Sequence, residues 1–255
     1  MQIELEKKIV AQVDSMRDRD VILAFSTGAD SLACYLRMRE WGIKPAALVY
    51  MQYIPRLPMI ENYIRYFESV TGEKVYRIPS VLGTDDLRNG LYQRPGVGQR
   101  MNDDSPLSPK TFNKDQLNAQ ILAAFPRNPV LAVGLRYTEG YFRFRTLMEY
   151  GPLRGTEWNP GASLTMQETA AIIRNYGKIK LPYEYRFLGR SFESPRASVA
   201  LAMAKKAPET WNACRAVYPM IHLLEAQAQR IKIGHDINTR IKCYGSMSLE
   251  QEVGF

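Results

Sequence analysis

Histidine and cysteine are scarce in this chain of 255 residues: two histidines, His222 and His235, and three cysteines. Cys34, Cys214 and Cys243 stand far apart and form no C-x-x-C pair. That pattern excludes a zinc ribbon, an iron–sulfur cluster held by this chain alone and a disulfide framework. Two histidines are too few for most histidine-based metal centres, so any metal chemistry has to rest on carboxylates and substrate phosphates. Long apolar runs are missing as well. None approaches the roughly 18–20 residues that span a bilayer. The opening "MQIELEKKIV" mixes acids, bases and apolar residues and lacks the apolar core of a signal peptide. These absences predict a cytoplasmic protein with no membrane partner. There is no internal repeat and no G-x-x-x-x-G-K-[ST] phosphate loop. "GVGQRM" (96–101) opens like a dinucleotide fingerprint, but it carries Met101 where glycine or alanine belongs and follows no strand.

What the chain does have is 45% hydrophobic and 24% charged residues, the balance of a soluble globular protein. Its length suffices for one α/β domain with a helical extension. Lys and Arg number 34 against 26 Asp and Glu, a net charge of +8. An excess of that size favours anionic partners: nucleotides, nucleic acid or an acidic protein. The bases are dispersed, with small clusters at Arg143–Arg145 and Lys178–Lys180.

Periodicity supplies the coarse architecture. Ile3, Leu5, Ile9, Val10 and Val13 give residues 2–18 a helical stripe. "VILAF" (21–25) reads as a strand buried on both faces. A helix is predicted over 31–41, stopping at Gly42, then a strand over 46–53, a helix over 58–70 and a strand over 74–79. Strand–helix–strand–helix–strand implies right-handed crossovers and a parallel sheet. Residues 80–112 are rich in Gly, Pro, Asn and Asp and show no periodicity, as in a functional loop. Within it, Asp85-Asp86 and Asp103-Asp104 read as solvated turn residues or as carboxylates that hold Mg²⁺ on a triphosphate. A helix over 113–125 leads to a fourth buried strand, "PVLAVGLR" (129–136). Thr165 and Glu168 form a capping box that opens a helix to about Tyr176. Ser194-Pro195 reads as a cap and first-turn proline for the next helix, and the remainder is helical with breaks at Pro208 and Pro219. Trp158 and Trp211 read as packing residues, and His222 as a core or boundary histidine.

The chemistry concentrates at "VILAFSTGADS" (21–31). A buried parallel strand ends there in a small polar turn that feeds a helix. The first N–H groups of a helix lack partners within it, and its dipole adds partial positive charge, so an anion can bind several at once. Gly28 permits close backbone approach, and Ser26, Thr27 and Ser31 supply hydroxyls. A second segment, "AVGLRYTEGYFR" (132–143), sets Arg136 at the carboxyl end of a buried strand, where doubly wound sheets bind ligands. A guanidinium there can hold phosphate or sulfate in bidentate fashion.

"FSTGADS" resembles the S-G-G-x-D-S motif of the PP-loop ATP pyrophosphatases, the adenine nucleotide α-hydrolases. Ser26, Gly28, Asp30 and Ser31 match, and Thr27 replaces the first glycine. "AVGLRYTEGYFR" is similar to the G-x-R-x-x-[EQ]-[SG]-x-x-R segment of the phosphoadenosine phosphosulfate (PAPS) reductase-like branch, with Gly134, Arg136, Glu139, Gly140 and Arg143 in register. "YMQYIPRLPMIENYIRYFESVTG" (50–72) has the proline-containing loop and helix that follow the second strand in that branch.

The resemblance implies a doubly wound parallel sheet of about five strands with helices on both faces. The α/β nucleotide-binding domain would occupy residues 1–180, and a helical C-terminal region 181–255. It implies ATP or PAPS as ligand, with Mg²⁺, bound by Ser26, Thr27, Gly28, Ala29, Asp30, Ser31, Tyr50, Met51, Gly134 and Arg136. Asp30, Arg136 and Arg143 would be catalytic, and Glu139 would orient an arginine. The implied reaction splits ATP into AMP and pyrophosphate and adenylates an acceptor, with nucleic acid among the candidate acceptors.

The chain departs from the branch in two places. Around "FLGRSFESPRAS" (187–198), Arg190, Ser191 and Ser194 stand where a cluster-binding cysteine element would fall, so no iron–sulfur cluster is expected. Near the C-terminus Cys243 lies between Lys242 and Tyr244, with Gly245 following, where cluster-free PAPS reductases carry their nucleophile. A reductase using Cys243 is therefore the alternative reading, and a non-catalytic nucleotide-binding module a third.

Overall fold

The computed structural model describes residues 2–94, 113–229 and 235–250. "GVGQRM", Asp103-Asp104 and the rest of 95–112 lie outside the described residues, as does the side chain of His235. Four strands were expected and all are present: β1 (Val21–Ala24), β2 (Ala47–Gln52), β3 (Val75–Pro79) and β4 (Val130–Val133). Two short strands complete the sheet, β5 (Leu153–Arg154) and β6 (Glu157–Trp158), in the order β3-β2-β1-β4-β6-β5. β1 is parallel to β2, with Ala24 opposite Val49, and to β4, with Ala24 opposite Val133. β6 is parallel to β4 and pairs antiparallel with β5. The fold is α/β, mostly parallel, with a helical C-terminal region. Because β1 has β2 on one side and β4 on the other, the winding reverses at the β1/β4 boundary. That boundary is the topological switch point, where sheets of this kind open a crevice at their carboxyl ends.

The chain divides into two compact units, Met1–Tyr50 with Phe67–Tyr76 and Asn118–Leu181, and Met51–Tyr66 with Arg77–Leu117 and Pro182–Phe255. In the first unit, α1 (Gln2–Arg17) buries Leu5, Ile9, Val13 and Met16, a single face at helical spacing. The predicted stripe differs: Ile3 and Val10 are 72% and 51% exposed, because they fall on the opposite side from that face. Helix α2 (Ala29–Glu40) packs on β1, β4 and the capped helix Met166–Tyr176, so nine of its twelve residues are buried. Phe25, Tyr35 and Phe67 interlock beside it, with Phe25 and Phe67 ring centroids 4.4 Å apart. Arg37 is buried in the same helix and survives there because every side of its guanidinium is used. It donates to Pro160 O at 2.9 Å and Ser163 Oγ at 3.3 Å, pairs with Glu6, and lies 4.6 Å from the centre of the Trp41 ring.

The capping box forms as expected, with Glu168 N donating to Thr165 Oγ1 at 3.2 Å and Thr165 N to Glu168 Oε2 at 2.7 Å. Trp158 and Trp211 are fully buried, in keeping with packing roles. In the second unit, the aperiodic stretch opens with a helix, α4 (Val81–Arg88), following α3 (Pro58–Thr71) and β3 in the chain. Asp85 and Asp86 are half-buried in α4, not in a solvated turn, and Asp86 accepts a hydrogen bond from the Tyr53 hydroxyl. The helix expected from Ser194-Pro195 starts later, at Ala197, with Arg196 in the extended N-cap position. The break at Pro208 is real, and the proline opens the next helix, Pro208–Val217. His222 is exposed, contrary to its reading as a core or boundary residue. It begins a short helix, His222–Ala228, and its Nδ1 lies 3.3 Å from Pro219 O.

Candidate functional site

Strand β1 releases the chain at Phe25, whose N–H still bonds Val49 O at 2.9 Å. Three residues then turn it into α2. Ser26 is exposed, whereas Thr27 and Gly28 are buried. Thr27 has φ +62°, in the left-handed region that β-branched residues avoid, and its side chain is fully buried. Its Oγ1 has no hydrogen-bond partner among the described residues. Gly28 is the N-cap of α2, in extended conformation, and no side chain caps the helix there. The hydroxyls instead tie the turn to itself: Ser31 Oγ donates to Gly28 O at 2.9 Å, Ser26 Oγ to Ser31 Oγ at 3.2 Å, and Gly28 N to Ser26 Oγ at 3.4 Å. The first bond inside the helix is Leu32 N to Gly28 O at 3.0 Å. The turn therefore delivers an uncapped helix start, with its partial positive charge, at the end of a buried strand.

The end of β4 closes on this turn. A Cβ placed on Gly134 would stand 2.9 Å from Ser31 N and 3.0 Å from Asp30 C, so only glycine lets the two backbones meet. Two residues later, Arg136 is 6% exposed and sets its Nε 2.7 Å from Asp30 Oδ1. A 3-10 turn, Tyr137–Glu139, brings Glu139 back toward Arg136. Its carboxylate lies 3.5 Å from Arg136 Nη2 and accepts from Arg136 N at 3.3 Å. The same carboxylate holds Arg143, one turn into the next helix, α6 (Tyr141–Tyr150), counting α5 as Lys114–Ala123. Gly140 joins the 3-10 turn to α6 at φ +149° and ψ 160°, a conformation essentially confined to glycine.

Asp30, Arg136, Glu139 and Arg143 thus form an alternating chain of charges that sums to zero. Arg136 is closed in by two carboxylates, while Arg143 remains about half exposed.

Of the predicted site residues, Ser26, Thr27, Gly28, Ala29, Asp30, Ser31, Gly134, Arg136 and Arg143 gather at this one edge. Tyr50 is buried on the neighbouring strand β2, one residue past Val49. Met51 follows it in β2 and belongs to the second unit. Motif spacing alone did not disclose the conformation of Thr27, though a threonine in a glycine position was a visible signal. Among the described residues no three His, Cys, Asp or Glu side chains gather to hold a metal. Asp30 is the only carboxylate in the turn, so a magnesium ion here would draw most of its oxygen ligands from a bound phosphate chain and water.

The cysteines divide by environment. Burial, reinforced by the nearby Asp30 charge, pushes the Cys34 thiol up to about 12, and burial takes Cys214 to about 12. Both are inert thiols at neutral pH. Cys243 is partly exposed near the end of a helix, His235–Tyr244, in the second unit, with exposed Lys242 before it and buried Tyr244 after it.

No helix among the described residues is long and apolar enough to cross a membrane. No protein-family model matches the chain, and no curated protein matches it. Among solved structures it is similar to the NAD+ synthetase from Burkholderia pseudomallei, with 15% identity and a TM-score of 0.34 over 95% of this chain and 87% of that one. The fold described above rests on the strand order itself and not on this likeness.

Proposed function

We propose that this chain is an enzyme of the PP-loop type that binds an adenine nucleotide at the carboxyl ends of β1 and β4 and uses ATP to adenylate an acceptor. The observation that carries the reading is the junction at the switch point: Gly134 against Ser31, with Arg136 locked to Asp30 across it. This is where a parallel sheet offers a ligand crevice, and the start of α2, with no side-chain cap at Gly28, offers the positive end of its dipole to an anion. The motif resemblance at Ser26–Ser31 and Gly134–Arg143 names the anion as a nucleotide phosphate chain.

In the proposed step an oxygen or nitrogen of the acceptor bonds to the α-phosphorus. The bond from that phosphorus to the α,β-bridging oxygen breaks, pyrophosphate leaves with the electron pair, and the acceptor's proton passes to solvent. Backbone N–H groups of the turn and the Ser26 and Ser31 hydroxyls receive the departing pyrophosphate, whose charge grows as the bond breaks. Arg143, half exposed, supplies counter-charge. Arg136 is a positioning residue: enclosed by Asp30 and Glu139, it fixes the first turn of α2 against the β4 end. Tyr50 lies on the adenine side. Magnesium, when present with ATP, supplies further charge neutralisation, with Asp30 as the carboxylate in the turn that would hold it.

The test is a thermal-shift series with ATP, AMP, adenosine phosphosulfate and PAPS, with and without Mg²⁺, followed by calorimetric titration. At about a hundredfold excess over Kd, a ligand adds roughly 2.7 kcal/mol. For a chain of this size that raises Tm by roughly 5–10 °C. Arg143→Ala should weaken ATP binding about tenfold or more, given the strength of charge-assisted bonds. If no adenine nucleotide moves Tm, the reading fails. Cys243→Ser should leave pyrophosphate release intact. Loss of turnover in that variant with PAPS would assign the chain to reduction instead.

A further inference from the structure

Helix α6 is an anomaly in its burial. Of its ten residues only Leu147 is buried, yet it exposes Tyr141 at 69%, Phe142 at 82%, Met148 at 39% and Tyr150 at 52%. A surface helix ordinarily turns its large apolar residues toward the core, and clustered exposed apolar residues mark an interaction surface. Here the rings alternate with guanidiniums, in "YFRFR" (141–145). Arg145 is about two-thirds exposed, and beyond the helix Arg154 stacks on Tyr150 at 4.9 Å. Tyr141 and Phe142 stand edge to face, 6.0 Å apart, which leaves ring faces open to a flat partner. Around these rings Arg143 and Arg145 pair with Glu139 and Glu149, and Arg154 stands opposite Glu157, so the arginines are held in place beside the rings on a chain carrying +8.

We infer that α6 is a docking platform for single-stranded nucleic acid, with unpaired bases stacking on Tyr141 and Phe142 and the backbone phosphates meeting Arg145 and Arg154. Aromatic faces interleaved with arginines suit a strand whose bases are free to stack, and a duplex keeps its bases from such rings. Through Gly140 the platform begins two residues after Glu139, which pairs with both Arg136 and Arg143. Resting on the adenylation reading for its purpose, this places nucleic acid as the acceptor. The binding itself does not require that reading.

The experiment is fluorescence anisotropy of a labelled single-stranded RNA or DNA of about twelve nucleotides, within the usual site sizes, titrated with the full chain in the absence of ATP. Wild type should bind, with affinity falling as salt rises. Phe142→Ala should weaken binding roughly tenfold or more, and Tyr141→Ala and Arg145→Gln by smaller factors. All three side chains are exposed, so Tm should stay within a degree or two of wild type. ATP affinity of Phe142→Ala should equal that of wild type. Equal strand affinity in wild type and Phe142→Ala overturns the inference. So does equal affinity for a duplex of the same sequence, or a stronger effect of Phe142→Ala on binding to phosphatidylserine vesicles than on the strand. A fall in oligomeric state in Phe142→Ala with strand affinity unchanged overturns it in favour of contact with a second copy. Strand binding without ATP binding leaves the platform standing and removes the adenylation reading, whereas ATP binding without strand binding does the reverse.

Discussion

Replacing Thr27 by glycine should make the protein more stable. Thr27 is held at φ +62° with its side chain fully buried and its hydroxyl without a hydrogen-bond partner among the described residues. The left-handed conformation costs a β-branched residue about 1–3 kcal/mol, and a buried hydroxyl with no partner about 1–3 kcal/mol. Glycine removes both. Against this stand the lost burial of the methyl group, about 1 kcal/mol, and the greater freedom of glycine in the unfolded chain, about 0.5–1 kcal/mol. At mid-range the balance favours glycine by roughly 2 kcal/mol, a Tm rise of roughly 4–8 °C.

Denaturant titration measures that difference, and Thr27→Val separates its two sources. Valine keeps the branch and the strained backbone but deletes the hydroxyl, so it should match or slightly exceed wild type in stability. In calorimetry both variants should keep ATP affinity within a few fold of wild type, because the Thr27 side chain is fully buried and lies outside the phosphate contacts assigned above. A glycine variant less stable than wild type would refute the reasoning, because Thr27 would then be making contacts worth more than its strain. A valine variant that loses more than about 1 kcal/mol would show that the hydroxyl is satisfied within the protein.

Three other perturbations follow from the same structure. Gly134→Ala should destabilise by about 1–3 kcal/mol, since the new Cβ meets only backbone, Ser31 N at 2.9 Å and Asp30 C at 3.0 Å; denaturant unfolding measures the loss, and a neutral variant would mean that β4 and α2 can slide apart. A thiol reagent at pH 8 should label the native chain at Cys243 alone. Cys34 and Cys214, at about 12, carry a thiolate fraction on the order of one in ten thousand, so mass spectrometry should find them modified only after unfolding. Glu225 accepts the Trp211 indole N–H at 2.7 Å, which lowers its pKa against the opposing effect of burial, and Arg215 lowers it further. A carboxylate with a depressed folded-state pKa stabilises above its ordinary 4.5 and loses that contribution as pH falls through the lowered value. Glu225→Gln should therefore flatten the acid limb of a stability–pH curve below about 4.5, and an unchanged limb would place acid sensitivity elsewhere.

The sheet was legible because buried parallel strands leave a strong mark, four or more apolar residues bounded by turn residues. β1, β2 and β4 carry it, whereas β3 is interrupted by Arg77 and buries only Val75. β5 and β6 do not, being two residues each with a polar member, Arg154 and Glu157, so their pairing with each other and with β4 supplies the definition that composition cannot. The helix at Val81–Arg88 escaped for a related reason. "VLGTDDLR" has a glycine at its third position and paired acids after it, residue types that favour turns, and Tyr53 holds one of those acids through its hydroxyl. The stripe on α1 was misjudged because several apolar residues within one turn allow more than one face, and the side contacting the rest of the unit selects Leu5, Ile9, Val13 and Met16.

At the site, the spacing of the second motif turns out to have a local mechanical basis. Glycine at 134 is needed by close approach to Ser31, and arginine at 136 is the first side chain past that contact able to reach Asp30. Glutamate three residues on returns through a single 3-10 turn to the Arg136 backbone and guanidinium. Glycine at 140 takes a backbone conformation denied to other residues, and arginine four residues after Glu139 lies one helical turn away, within reach of the same carboxylate. Each offset is set by a bond or a clash, so these five positions are coupled: a change at Gly140 should disturb Arg143 through the entry of α6, and a change at Glu139 should release both arginines at once. What spacing could not convey is the charge balance. Two carboxylates neutralise two guanidiniums, so under the proposed nucleotide reading the anion would meet the start of α2 and the exposed half of Arg143, while Arg136 keeps that helix start where the strand ends.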